Sequence, residues 1–154
     1  MKVEIISKNK IMTQNIACEI SKFLKPGMLL TLDGDLGAGK TTFTQGLGKG
    51  LGINDNINSP TFNILKCYFD GRIPLYHIDA YRLEDRINMD IGLEEVIQGD
   101  GVAVIEWSKF ISDLIFEPLR IEIEILNDNE RKIIFYSDEK KYEQIFSFLK
   151  ELNI

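Results

Sequence analysis

The sequence predicts an α/β domain of three layers whose sheet is partly parallel and partly antiparallel. Three observations carry that expectation. Strand-like runs alternate with segments of helical apolar spacing. One run, GVAVIEW, is apolar almost without a break, as expected of a strand covered on both faces. Two pairs of strand-like runs are separated by short turns and read as hairpins. The chain has 154 residues, 44% hydrophobic and 27% charged, which suits one domain over residues 1–154. No repeat, low-complexity tract or Pro/Gly/Ser-rich linker divides it.

Along the chain, VEIIS (Val3 to Ser7) reads as a short strand. Met12, Ile16, Ala17, Ile20, Phe23 and Leu24 then recur at helical spacing as far as Pro26-Gly27. LLTLD reads as a strand that runs into the glycine-rich stretch GDLGAGKTT, and Phe43, Leu47 and Leu51 mark one stripe of the following helix. FNILKCYF and IPLYHIDAY predict a hairpin about Asp70-Gly71-Arg72. Leu83 to Gln98 reads as helical in two pieces with Gly92 between them. RIEIEIL alternates, with Ile121, Ile123 and Ile125 on one side and Glu122 and Glu124 on the other. It predicts a half-exposed strand that pairs with Lys132 to Tyr136. Tyr142, Ile145, Phe146, Leu149 and Leu152 stripe a closing helix.

Composition excludes several classes. Eighteen Lys and Arg against 24 Asp and Glu leave a net charge of -6, the wrong sign for gripping a nucleic-acid backbone directly. Any traffic with RNA is expected to pass through a partner. No apolar run approaches the roughly 20 residues that span a bilayer, and the N-terminus has no secretory core, so a cytoplasmic protein without membrane contact is expected. Cys18 and Cys67 have neither metal-site spacing nor disulfide density, and read as buried thiols in a reducing compartment.

Gly34-Asp35-Leu36-Gly37-Ala38-Gly39-Lys40-Thr41 matches the phosphate-loop pattern G-x-x-x-x-G-K-[ST], placed between a strand and a helix as its mechanism requires. The expected fold is therefore phosphate-loop (P-loop) NTPase-like. The glycines let the backbone turn so that successive N–H groups surround the phosphates, and the helix N-terminus adds its positive end. Gly34, Leu36, Gly37, Ala38, Gly39, Lys40, Thr41 and Thr42 are the candidate cofactor-binding residues. Lys40 is expected to reach the β- and γ-phosphates, and the Thr41 hydroxyl to ligate Mg²⁺.

A magnesium-bound nucleotide needs an acid at the end of a neighbouring strand. Glu106 ends GVAVIE in the Walker B arrangement, and Asp79 ends PLYHID. Glu106 is assigned to the Mg²⁺ shell, directly or through water. Asp79 is assigned to positioning the attacking water or to a link with a moving loop. Strand alternation puts His77, Asp79 and Tyr81 on one side, and His77 reads as an interior neighbour rather than a catalyst. In Asn58-Ser59-Pro60-Thr61-Phe62, Pro60 restricts Ser59 and leaves the Ser59 and Thr61 hydroxyls to face the site, unless the segment is an ordinary turn. Gly46, Gly48, Gly50 and Gly52 each cost about 1 kcal/mol inside a helix relative to Ala. Either close backbone packing requires them or the segment moves with nucleotide or partner.

GDLGAGKTT, SPTF, HIDAYRL and IEW, in that order and at these separations, resemble the TsaE family, over almost the whole chain. The resemblance implies a small ATPase of bacterial threonylcarbamoyladenosine biosynthesis. It would use ATP and Mg²⁺ and act with the TsaB and TsaD proteins, which modify the adenosine beside the anticodon of tRNAs reading codons that begin with A. Its ATP cycle would support turnover of the complex, and it would meet tRNA only indirectly. Carried over by residue, Lys40 and Gly37 to Thr42 hold phosphates, and Thr41 and Glu106 serve Mg²⁺. Asp79 and Thr61 match positions tied to hydrolysis or to sensing the nucleotide's state, and Trp107 follows the acid as in the family pattern. The resemblance puts the adenine near Lys10 to Thr13 and a late basic residue, Arg131.

Other classes fit less well. A small-molecule kinase would share the loop, but it needs an acceptor pocket and usually an arginine-bearing lid, whereas the arginines here are few and scattered. A GTPase would need N-K-x-D and a D-x-x-G after a strand, and neither is present. A module that binds ATP without hydrolysing it shares all these residues.

Overall fold

The computed structural model describes residues 1–60, 64–83 and 92–152. Its strands are β1 (Lys2–Ser7), β2 (Leu29–Gly34), β3 (Leu65–Tyr68), β4 (Leu75–Asp79), β5 (Val102–Glu106), β6 (Leu119–Ile125) and β7 (Arg131–Tyr136). Its helices are α1 (Lys10–Ser21), α2 (Lys40–Leu51), α3 (Leu93–Ile97) and α4 (Glu143–Leu152). The strands form one sheet in the order β1-β7-β6-β2-β5-β4-β3. Pairs β2/β6, β2/β5 and β4/β5 are parallel, while β1/β7, β6/β7 and β3/β4 are antiparallel. The mixed sheet expected from the sequence is present.

Alternation along each strand decides which layer a side chain enters. On β5, Val102 and Val104 join a core with Phe43, Leu47, Ile16 and Phe146, from the helices of one face. Ala103 and Ile105 join a second core with Leu93, Ile97 and Ile111 on the other. This explains the unbroken apolar run of GVAVIEW: all five β5 residues are buried. The antiparallel end is covered on one face only, since Lys2, Glu4 and Ile6 of β1 and Arg120, Glu122 and Glu124 of β6 are exposed.

Helix α1 starts where Asn9 Oδ1 accepts the Met12 N–H at 2.8 Å, a side-chain N-cap. It ends at Ser21, several residues before Pro26. Phe23 and Leu24 close it with shorter-range bonds to Ile20 O and Ser21 O at 3.1 Å, which explains why their apolar spacing reads as helix. Gly46 and Gly50 of α2 belong to its contact with α1, whereas a Cβ on Gly48 would run into Ile57. A Cβ on Gly46 would lie 2.8 Å from Ala17 Cβ, and one on Gly50 would lie 2.5 Å from Cys18 O. The two helices approach backbone to backbone, and packing accounts for these glycines. Gly52 ends the helix at φ 85°, and its N–H is bonded to Gly48 O and Lys49 O.

Several expectations are corrected. Cys18 is half-buried and Cys67 exposed, both as free thiols, so neither is a core thiol. Cys67 sits on β3, an edge strand, where no further strand among the described residues covers it. Ile125 and Leu152 are each 48% exposed, because they lie at element ends beyond the reach of the core. Strand β4 stops at Asp79, and Tyr81 begins a 3-10 turn over Tyr81–Leu83, so strand alternation does not extend to it. Of the two helical pieces expected over Leu83 to Gln98, the second is α3, entered through Gly92 at φ 74°, and most of the first lies outside the described residues. Among the described residues, no helix is long and apolar enough to cross a membrane.

Candidate functional site

The glycine-rich loop leaves β2 and turns into α2 at the carboxyl ends of the parallel strands, where open α/β sheets place ligands. Gly37 at φ 83° and Gly39 at φ 109° hold conformations that side chains disfavour, although nothing lies close to either Cβ position. Backbone conformation, not space, requires these two glycines. Gly39 is the N-cap of α2 and supplies no side-chain hydrogen bond. The first-turn N–H groups have no intrahelical carbonyl, so the helix presents its positive end beside the loop.

A cavity of about 980 Å³ opens over this end. It is lined by Leu36, Gly37, Ala38, Gly39, Lys40, Thr41 and Thr42 of the loop and helix, by Asp79 and Glu106 of the strands, and by Lys10, Thr13 and Arg131. These residues come from five different elements, and the fold brings them to one place. Gly34 is expected at the ligand but is not among the lining residues. Its carbonyl accepts a hydrogen bond from Lys40 Nζ at 2.7 Å, and a Cβ there would meet Ile123 O at 2.6 Å. Ser59 lines the cavity, whereas Thr61 lies outside the described residues.

The acids stand side by side. In the parallel register Asp79 of β4 faces Glu106 of β5, and Glu106 in turn faces Leu32 of β2. Glu106 is 3% exposed, with Oε1 3.9 Å from Lys40 Nζ and Oε2 2.5 Å from His77 Nε2. Asp79 Oδ1 accepts the Tyr81 N–H at 3.0 Å, which closes the turn after β4. Lys40 is thus flanked by the Gly34 carbonyl, the Glu106 carboxylate and the ring of Trp107.

The two flanks named for the adenine differ in character. Lys10 is exposed at the start of α1, while the Thr13 hydroxyl is paired with Ser7 Oγ at 2.7 Å. Arg131 Nε donates to Ala38 O at 3.0 Å, and its other nitrogens donate to Gly37 O, Asn127 O and Glu130 O. Its guanidinium ties the turn after β6 to the glycine-rich loop.

The sequence reading missed four contributors. Asp33, near the end of β2, accepts from both Ser108 N and Ser108 Oγ, at 3.2 and 3.0 Å, and fixes the segment after β5. Asn9, Asp128 and Asn129 line the cavity from loops, where no periodicity marks a residue's direction. Asn9 carried the one legible signal, an Asn just before a helical stripe. Trp107 and Tyr81 also line the cavity, their ring centroids 5.1 Å apart.

A family model described as Threonylcarbamoyl adenosine biosynthesis protein TsaE matches residues 7–133. The chain is 50% identical over 134 residues to the tRNA threonylcarbamoyladenosine biosynthesis protein TsaE of Bacillus subtilis (strain 168), a match that covers 86% of this chain and 84% of that protein. The protein of the same name from Treponema pallidum (strain Nichols) is 43% identical over 116 residues, covering 74% of this chain and 85% of its own. A solved structure titled "Crystal structure of Bacillus subtilus YdiB" superposes with a TM-score of 0.83 at 37% identity, covering 100% of this chain and 97% of that one. With the motifs, the mixed sheet and these matches in agreement, the chain belongs to the TsaE family of threonylcarbamoyl adenosine biosynthesis proteins.

Proposed function

We propose that this chain binds and hydrolyses ATP with Mg²⁺ in the cytoplasm, and that it acts with the TsaB and TsaD proteins in modifying the adenosine next to the anticodon of tRNAs reading ANN codons. The observation that carries the reading is one cavity shared by the N-terminus of α2, which no side chain caps, and by the adjacent carboxylates of Asp79 and Glu106. A polyphosphate suits the first and a hydrated cation suits the second.

The donor set fits magnesium. Thr41 and Glu106 offer hard oxygens at the cavity, and no cluster of three or more His, Cys, Asp or Glu among the described residues forms a protein cage. Mg²⁺ commonly takes one or two protein oxygens and completes its shell with phosphate oxygens and water. Bound there, it would offset charge on the β- and γ-phosphate oxygens. In the proposed division of labour, the loop N–H groups and Lys40 hold the phosphates. Thr41 and Glu106 hold the ion, and Asp79 orients the attacking water. Thr61 of SPTF would sense the γ-phosphate. Lys10, Thr13 and Arg131 would border the adenine, Arg131 by bracing the loop.

The net charge of -6 and the exposed Ile11, Leu36 and Tyr81 at the cavity support a protein partner over direct contact with tRNA. Phosphate release by the wild type with TsaB and TsaD tests the reading. Glu106→Ala and Asp79→Ala are each expected to lower release about 100-fold or more, Asp79→Ala with nucleotide still bound and Glu106→Ala with weaker binding in Mg²⁺. No release by the wild type with both partners would favour a binding module instead. Unchanged threonylcarbamoyladenosine in tRNA hydrolysates after depletion of the protein would overturn the pathway assignment.

A further inference from the structure

His77 is the single histidine of the chain and is 0% exposed. It lies on β4 opposite Val104, two residues before Glu106 on the neighbouring strand, and its ring reaches forward to the carboxylate. The contact is lopsided. Nε2 is 2.5 Å from Glu106 Oε2, while Nδ1 has no hydrogen-bond partner among the described residues. The roles proposed for the site use neither nitrogen.

With Glu106 read as a metal-binding carboxylate, its oxygens accept, and the hydrogen of the contact is assigned to Nε2. Nδ1 is then a buried acceptor without a donor, which costs less than a buried N–H without an acceptor would. The consequence falls on Glu106. Its two oxygens are buried in different company, Oε2 against His77 and Oε1 toward Lys40 at 3.9 Å. The terminal torsion of a glutamate is broad when free, and one anchored oxygen removes that freedom. Without His77, Oε2 would be a buried acceptor with no partner, and the carboxylate would gain by turning away from its present orientation.

We propose that His77 is a positioning residue for Glu106, its Nε2–H holding Oε2 so that Oε1 is the oxygen turned toward Lys40 and the phosphate loop. The proposal rests on the reading of the site as one for a magnesium nucleotide, where partners that orient a metal-binding group commonly matter 10- to 100-fold.

Two measurements on the full chain test it. With nitrogen-15 histidine, the one imidazole gives one pair of ring signals. The expected result is a proton on Nε2, slow to exchange with water, whose signal shifts in Glu106→Ala. A proton on Nδ1, or a signal indifferent to Glu106→Ala, overturns the assignment. The second measurement is the affinity for a non-hydrolysable ATP analogue by calorimetry, with Mg²⁺ and with a chelator. His77→Leu is expected to weaken binding about 10- to 100-fold in Mg²⁺ and to leave it within about twofold in chelator. His77→Gln, whose amide nitrogen reaches the place of Nε2, is expected to recover most of the loss. Wild-type Mg²⁺ dependence in His77→Leu, or equal loss in the folded His77→Gln, overturns the positioning role. A wild type that does not bind the analogue overturns the nucleotide reading, whereas a wrong tautomer overturns the His77 assignment alone.

Discussion

Lys40 Nζ stands 4.2 Å from the centroid of the Trp107 ring, and Trp107 holds a left-handed backbone conformation at φ 57°. That conformation costs a non-glycine residue about 1–2 kcal/mol. Packing offsets it, since the indole lies 5.1 Å from Tyr81 and 6.4 Å from Phe110 between ring centroids. The tertiary structure thus sets an aromatic face directly beside Lys40, the first residue of α2.

The first prediction follows from that pairing. Phosphates would draw the Lys40 ammonium from the indole face, because a charge-assisted bond outweighs a cation–π contact of about 0.5–2 kcal/mol. Trp107 is the only tryptophan, so its emission reports the change without background. Adding ATP and Mg²⁺ is expected to alter the fluorescence of the wild type and to leave that of Lys40→Met unchanged. A silent wild type that nonetheless binds nucleotide would contradict the pairing.

The α1–α2 contact makes a second prediction. Replacing a helical glycine by alanine ordinarily gains about 1 kcal/mol of helix propensity. At Gly46 the added Cβ meets Ala17 Cβ and the backbone of Gln14, neither of which can swing aside. Gly46→Ala is expected to destabilise the fold by about 1–3 kcal/mol, the usual cost of overpacking, and a raised melting temperature would refute it. For the same reason, hydrogen exchange over residues 46–52 is expected to be equal with and without an ATP analogue.

Tyr142 supplies a pH dependence. It is fully buried, and its hydroxyl donates to Leu29 O and accepts from Leu29 N, each at 3.0 Å. Burial pushes the phenol from 10.0 up to about 12. Between those values the unfolded chain has lost a proton that the folded chain keeps, so stability is complete below pH ~10 and declines as pH rises through ~12. The decline is on the order of 2–3 kcal/mol. Urea titrations at rising pH are expected to show it, and Tyr142→Phe is expected to start about 1–3 kcal/mol less stable with a flatter slope. A wild-type slope in Tyr142→Phe would assign the loss to other groups.

Much of the fold could be read from the chain because its signals are local. The unbroken run at GVAVIEW, the alternation in RIEIEIL and the spacing of Phe43, Leu47 and Leu51 each follow from the geometry of one element. The turn of the glycine-rich loop was equally legible, since Gly37 and Gly39 are demanded by their own backbone angles. Cys67, Ile125 and Leu152 were misread because exposure at a strand edge or element end depends on what the rest of the chain fails to cover. Gly46 and Gly50 of α2 posed a question that α1 answers, by approaching too closely for any side chain, and Gly48 one that Ile57 answers in the same way.

By itself, then, the sequence determined the elements, the mixed sheet, the loop beside α2 and the family motifs, all matters of residue type at short spacing. The tertiary structure alone decided which side chains meet. Asp79 and Glu106 are neighbours because β4 and β5 pair in parallel at that register. His77 became the partner of Glu106, Asp33 the anchor of Ser108, and Arg131 the brace of the glycine-rich loop through contacts that cross between elements. A side chain's direction in space depends on register and packing with distant segments, and no local pattern encodes it.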